Sequence, residues 1–111
     1  MNRRNLKKII RYTCGDIAGE CLFASNLIPQ ADAAKLDQAI IDAAMLQTAT
    51  LKRVGIDFDK TPGDFDTPAA YAKARRTYFA KAYAALKADF NKQVAAIVKE
   101  MNSALPARKA E

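Results

Sequence analysis

At 111 residues the chain is one domain's worth, long enough to bury a modest core without a metal or disulfide staple. Half of it is hydrophobic and 27% is charged, which excludes a disordered composition, and no apolar run approaches the ~20 residues that span a bilayer. A net charge of +6 with no histidine and two cysteines leaves too few ligands for structural zinc and points any charged partner toward anions.

Alanine dominates the apolar share while glycine and proline number four each, a mixture that favours helix over strand because alanine loses no side-chain entropy in a helix. The first helix is expected over residues 3–26, with Leu6, Ile9, Ile10, Thr13, Ile17, Cys21 and Ala24 recurring at three- and four-residue steps. Gly15 and Gly19 weaken its middle by about 1 kcal/mol each relative to alanine, and their spacing lets another helix approach closely. Cys14 and Cys21 lie seven residues apart on this helix, about 10.5 Å at 1.5 Å rise per residue, too far for a disulfide. They read as reduced, small apolar core residues, which fits a cytoplasmic protein. The opening Arg3-Arg4-Asn5-Leu6-Lys7 loosely resembles a twin-arginine export signal, but the stretch that should be apolar contains Arg11, Asp16 and Glu20.

Pro29 breaks the first helix, and a second is expected over 32–54, opened by Asp32 as N-cap. Its inward stripe is read as Leu36, Ile40, Ala43, Ala44, Gln47, Leu51 and Val54, with Gln47 as a buried polar group that finds a partner. Gly55 is placed to end the helix in a left-handed conformation. An acidic linker follows over 55–67 and repeats itself, as Asp57-Phe58-Asp59-Lys60-Thr61-Pro62 and then Asp64-Phe65-Asp66-Thr67-Pro68. The second copy reads as a helix start, with Thr67 capping and Pro68 at the first helical position; Phe58 and Phe65 are expected to fold back over the bundle end.

The third helix, expected over 68–104, has a near-heptad series in Phe79, Tyr83, Leu86, Phe90, Val94, Ile97, Met101 and Ala104, closed by Pro106. It would be about 55 Å long against roughly 35 Å for each of the others. The fold class predicted is therefore all-α, a three-helix antiparallel bundle with a long C-terminal helix, the stripes of the first and third helices meeting. The overhang calls for a bend, a late start or another surface to pack on, and a second copy of the chain supplies one. Ile41 and Met45, opposite the inward stripe of the second helix, and Tyr71 and Tyr78 on the overhang are the candidate dimer contacts.

Three motifs bear on function. Asp57-Phe58-Asp59-Lys60-Thr61 fits the D-x-D-x-T nucleophile motif of haloacid-dehalogenase-type phosphatases, but that chemistry needs the end of a parallel strand and here a helix precedes it. The same loop fails as a calcium loop because Pro62 and Pro68 stand where Gly and Glu are required. Arg3, Arg4, Lys7, Lys8 and Arg11 crowd one sector near a helix N-terminus, where the macrodipole disfavours cations, and no acid in the first two turns compensates. That sector is either a solvated face or a contact for an anion or nucleic acid. Arg75 and Arg76 beside Tyr71 and Tyr78 admit the reading of cations interleaved with stacking aromatics, against rim-packed tyrosines.

Met1 to Lys8 with Tyr12, Cys14, Gly15, Asp16, Glu20 and Cys21, together with Asp89 to Val94, Ile97, Val98 and Glu100, resembles a group of short, uncharacterised helical proteins of Bacteroidetes bacteria. The likeness covers both terminal helices, leaves the alanine-rich middle and the linker unmatched, and implies a cytoplasmic helical bundle without a known activity. No catalytic, metal or cofactor constellation emerges. The expectation is a non-enzymatic, cofactor-free module for oligomeric interaction or scaffolding, with weak nucleic-acid binding through the basic first helix as the alternative.

Overall fold

The computed structural model describes residues 3–106 as an all-α protein, so Met1 and Asn2 of the likeness above lie outside the described residues. Three helices follow in order, α1 (Arg3–Leu27), α2 (Ala33–Val54) and α3 (Pro68–Ser103), with a single 3-10 turn over Pro62–Asp64 in the linker. No described helix is long and apolar enough to cross a membrane.

Local chemistry sets the helix ends. The Asp32 carboxylate accepts from the Lys35 amide at 3.2 Å and so satisfies one free donor of the first turn of α2. Thr67 does the same for α3 through the Ala70 amide at 3.1 Å, with Pro68 at the first helical position as expected. Within the linker, Thr61 and Asp64 form a reciprocal capping box: the Asp64 carboxylate accepts from the Thr61 amide at 2.8 Å. That employs one acid of the Asp-rich linker structurally. Gly55 differs from expectation. It sits at φ −83°, ψ 19°, not in the left-handed region, because its amide bonds to the Lys52 carbonyl in a tighter turn that needs no positive φ.

α1 and α3 run in the same direction with α2 antiparallel to both. Their far ends are joined where the Asp32 amide donates to the Ala104 carbonyl at 2.7 Å. At the near end the Arg3 side chain meets Tyr83 and the Ile56 carbonyl. The expected meeting of the α1 and α3 stripes is corrected: α2 packs extensively on both, while α1 and α3 barely touch. The small inward residues Ala39 and Ala43 let both neighbours approach α2 closely, so α2 becomes the shared centre.

The core consists of Leu6, Ile10, Cys14, Ile17, Cys21 and Ala24 from α1, Leu36, Ala39, Ala43, Leu46 and Val54 from α2, and Leu86, Phe90, Ile97, Met101 and Ala104 at the end of the chain. The α1 stripe holds at Leu6, Ile10, Ile17, Cys21 and Ala24 with one exchange, and the α2 stripe is rotated from the sequence reading. On α1, Cys14 is inside and Ile9 is outside; on α2, Leu46 and Thr50 are inside, Gln47 is only half-buried and Ala44 is exposed. The α2 difference is a rotation of about one residue, which periodicity over a short apolar-rich window cannot resolve.

The length mismatch is real. α3 has 36 residues against 25 and 22, and the molecule measures 66 × 25 × 18 Å. Its radius of gyration, 19.3 Å, far exceeds the ~13 Å of a compact domain of this length. The first turns of α3 project beyond the bundle, and the chain's own linker covers them. The Phe58 ring lies 5.7 Å from that of Tyr71 and 5.3 Å from that of Tyr78, and Phe65 lies 5.8 Å from Tyr71. Phe58 and Phe65 thus fold back as expected, onto the overhang and not the end of the core.

Candidate functional site

Two surface features stand apart from this scaffold. The first is an open cleft of about 580 Å³ lined by Arg3 from the start of α1 and, from α3, Arg75, Arg76, Phe79, Ala80, Tyr83, Ala84 and Lys87. Its rigid corner is Tyr83, whose hydroxyl donates to the Val54 carbonyl at 3.0 Å and accepts from Arg3 Nε at 3.0 Å. Arg3 Nη2 also donates to the Ile56 carbonyl at 2.8 Å, so one guanidinium ties together the start of α1, the exit from α2 and the middle of α3. The same guanidinium carbon stands 5.3 Å from the Phe79 ring centre, and that of Arg75 stands 4.9 Å from it. Both are within cation–π range. Ala80 and Ala84 leave the space beside the ring open. Arg76 and Lys87 make no hydrogen bond or ion pair to any described residue, and no acid is among the described residues lining the cleft.

Of the five basic residues singled out on the first helix, the structure brings only Arg3 into this cleft. Arg4, Lys8 and Arg11 are exposed on α1, and Lys7, one turn beyond Arg3, is half-buried. Arg75 faces Phe79, while Tyr71 and Tyr78 are engaged by the linker rings. Lys87 was missed by sequence reasoning. The available signal was its position three turns along α3 from Arg76, on the same face.

The second feature is the side of α1 turned away from the core. Ile9, Tyr12, Leu22, Phe23 and Leu27 are each more than half exposed, reaching 66% for Tyr12 and 63% for Phe23. Ile9, Tyr12, Asp16, Gly19, Phe23 and Leu27 follow three- and four-residue steps and form a second stripe on the same helix. Gly15 and Gly19 form a notch in it, with open space where a β-carbon would stand. A smaller apolar patch lies on the outer face of α2, where Ile41 is 50% and Met45 66% exposed. Of the four dimer contacts expected from sequence, Ile41 and Met45 are therefore open, whereas Tyr71 and Tyr78 are half-buried against Phe58.

The remaining candidates sit elsewhere. Asp57 and Asp59 occupy an exposed, non-helical loop with no strand among the described residues to serve as the platform of a phosphatase motif. Cys14 and Cys21 are free and buried, and loss of hydration pushes both thiols above the ordinary range, with the nearby Glu20 charge adding to the effect at Cys21. In an unfolded chain a thiol ionises at about pH 8.5, before the folded thiols do. The stability the protonated thiols contribute is thus complete below that value and is lost as pH rises through the raised folded values, by up to about 1.4 kcal/mol per pH unit for each thiol. Urea midpoints at pH 7 and pH 9.5 are expected to show this loss, and Cys14→Ala/Cys21→Ala is expected to reduce it; an unaltered pH dependence in the double variant assigns the effect to other groups.

No protein-family model, no curated protein and no solved structure matches this chain.

Proposed function

We propose that the protein is a non-enzymatic interaction module that self-associates through the outer face of α1. One observation carries this reading: a single surface helix bears two apolar stripes, and only one of them is used inside the molecule. At roughly 100 Å² open on each of Ile9, Tyr12, Phe23 and Leu27 and on the adjoining Leu22, the unused face exposes on the order of 500 Å². That is the upper end of what a monomer leaves in water. It is also the larger part of the ~800 Å² that one partner of a stable dimer buries.

A second copy is the occupant that the pattern fits. Tyr12 and Leu22 are equidistant from Ile17, as are Gly15 and Gly19, so two copies of the outer face that cross antiparallel at that height set glycine against glycine and Tyr12 against Leu22 of the other copy. Glycine against glycine at the crossing lets the backbones approach closely and brings the aromatic and leucine side chains on either side into contact. Charge selects the antiparallel orientation. All five cations of α1 precede its two acids, Asp16 and Glu20, so a parallel pair would set cation beside cation, whereas an antiparallel pair about Ile17 sets the basic start of one helix against the uncharged end of the other. The cost falls on Asp16, which interrupts the stripe and meets its own copy near the axis.

Sedimentation equilibrium at tens of micromolar tests the reading. A dimer is expected that Phe23→Glu dissociates, that Asp16→Asn tightens, and that Ile41→Glu on the other helix leaves in place. A monomeric wild-type protein, or a dimer indifferent to Phe23→Glu, refutes it.

A further inference from the structure

The cleft at Arg3, Phe79 and Lys87 is separate from the apolar face of α1 and asks for a different partner. We propose that it binds the backbone of single-stranded nucleic acid. Four cations from two helices converge on it: Arg3 is held by the Tyr83 hydroxyl and the Ile56 carbonyl, and Arg75 rests over the Phe79 ring. A guanidinium already ordered loses less entropy on gripping a phosphate and presents a planar fork suited to phosphate oxygens. Arg76 and Lys87 remain without a described partner at the two ends of the cleft, eleven residues and so about 16 Å apart along α3. An extended strand spanning that distance would present two to three phosphates.

The shape argues against other anions. The cleft is an open trough whose lining side chains are mostly exposed, so it cannot enclose the large majority of a small ligand's surface as small-molecule sites do. It is lined by Arg3 of α1 and one face of α3, a track that a flexible single strand can follow with its phosphates. The Phe79 ring lies within cation–π range of two guanidiniums and stacks on Tyr83 at 5.8 Å, so with Ala80 and Ala84 it forms an aromatic and cationic wall against which an unpaired base can pack. From Arg3 the i, i+4 row of Lys7 and Arg11 continues the positive track along α1. This accounts for cations placed where the helix dipole disfavours them.

Fluorescence anisotropy with a labelled 12-nucleotide single strand at 50 mM salt tests the proposal, with the same strand in duplex form and anionic lipid vesicles as competitors. Single-strand binding is expected to weaken with salt at a logarithmic slope of about −1.5 to −2, corresponding to two or three neutralised phosphates. Arg76→Glu/Lys87→Glu is expected to weaken it at least tenfold. Lys92→Glu/Lys99→Glu makes the same change in net charge on exposed positions of α3 outside the cleft and is expected to change it by less than about threefold. Circular dichroism checks that both variants keep the helical signal, and repeating the titration on Phe23→Glu separates this site from self-association. Absence of binding, equal weakening by the two double variants, or tighter binding of duplex or vesicles overturns the proposal.

Discussion

Leu36→Ala is expected to lower the unfolding free energy by about 2 to 5 kcal/mol, the range for emptying a leucine site in a core that cannot fully collapse. Leu36 is 0% exposed, at the first turn of α2, beside the point where Asp32 is tied to the end of α3. Few neighbours can fill the void. The core residues that follow it on α2 include the small Ala39 and Ala43, and among the described elements α2 is the one that packs broadly on both other helices. A domain of this length is held by about 5 to 15 kcal/mol, so the loss is a large fraction of the total. Urea unfolding followed by circular dichroism measures it. A loss below 1 kcal/mol would mean that α1 and α3 close directly on each other when α2 is weakened.

Phe58→Ala combined with Phe65→Ala acts elsewhere and differently. The core at Leu86 to Met101 is left intact, and what is lost is the cover of the overhang from Pro68 to about Ala82. A helical stretch of that length is marginal in water by itself. The aromatic contacts and the apolar area removed are worth about 2 kcal/mol of local stability, and amide exchange over residues 70–80 is expected to accelerate roughly thirtyfold. Exchange over residues 86–103 is expected to stay within a few-fold of the parent. Hydrogen-exchange mass spectrometry distinguishes the two segments, and uniform acceleration along α3 would show that the overhang and the bundle open as one unit. The cleft provides a second readout, because Arg75 and Phe79 lie within the segment that would fray.

The two predictions probe the two levels at which this fold is encoded. Local sequence chemistry determined the helices and their ends: the alanine-rich composition, Asp32 and Thr67 as caps, Pro68 at a first helical position and the near-heptad series of α3 are read from neighbours a few residues apart, and capping needs no tertiary partner. The rotation of each helix was not encoded so locally. Ile9 is as apolar as Ile10, and Gln47 lies in a stripe as regular as that of Leu46, so which residue turns inward is settled by the helix it must pack against. α1 in particular carries two stripes, and periodicity alone merged them into one.

The candidate sites divide along the same line. The sequence by itself determined that α1 begins with an uncompensated run of cations, that α3 outruns its partners and that the linker carries two phenylalanines. Only the tertiary structure decided what these features do. It carried Arg3 across to Tyr83, Phe79 and the basic residues of α3, eighty positions away for the hydrogen bond, and laid Phe58 on Tyr71 and Tyr78, removing both tyrosines from the open surface. The reason is that a charge or ring gains its partner through distance in space, and the chain separation between such partners carries no periodic signal that a one-dimensional pattern can register.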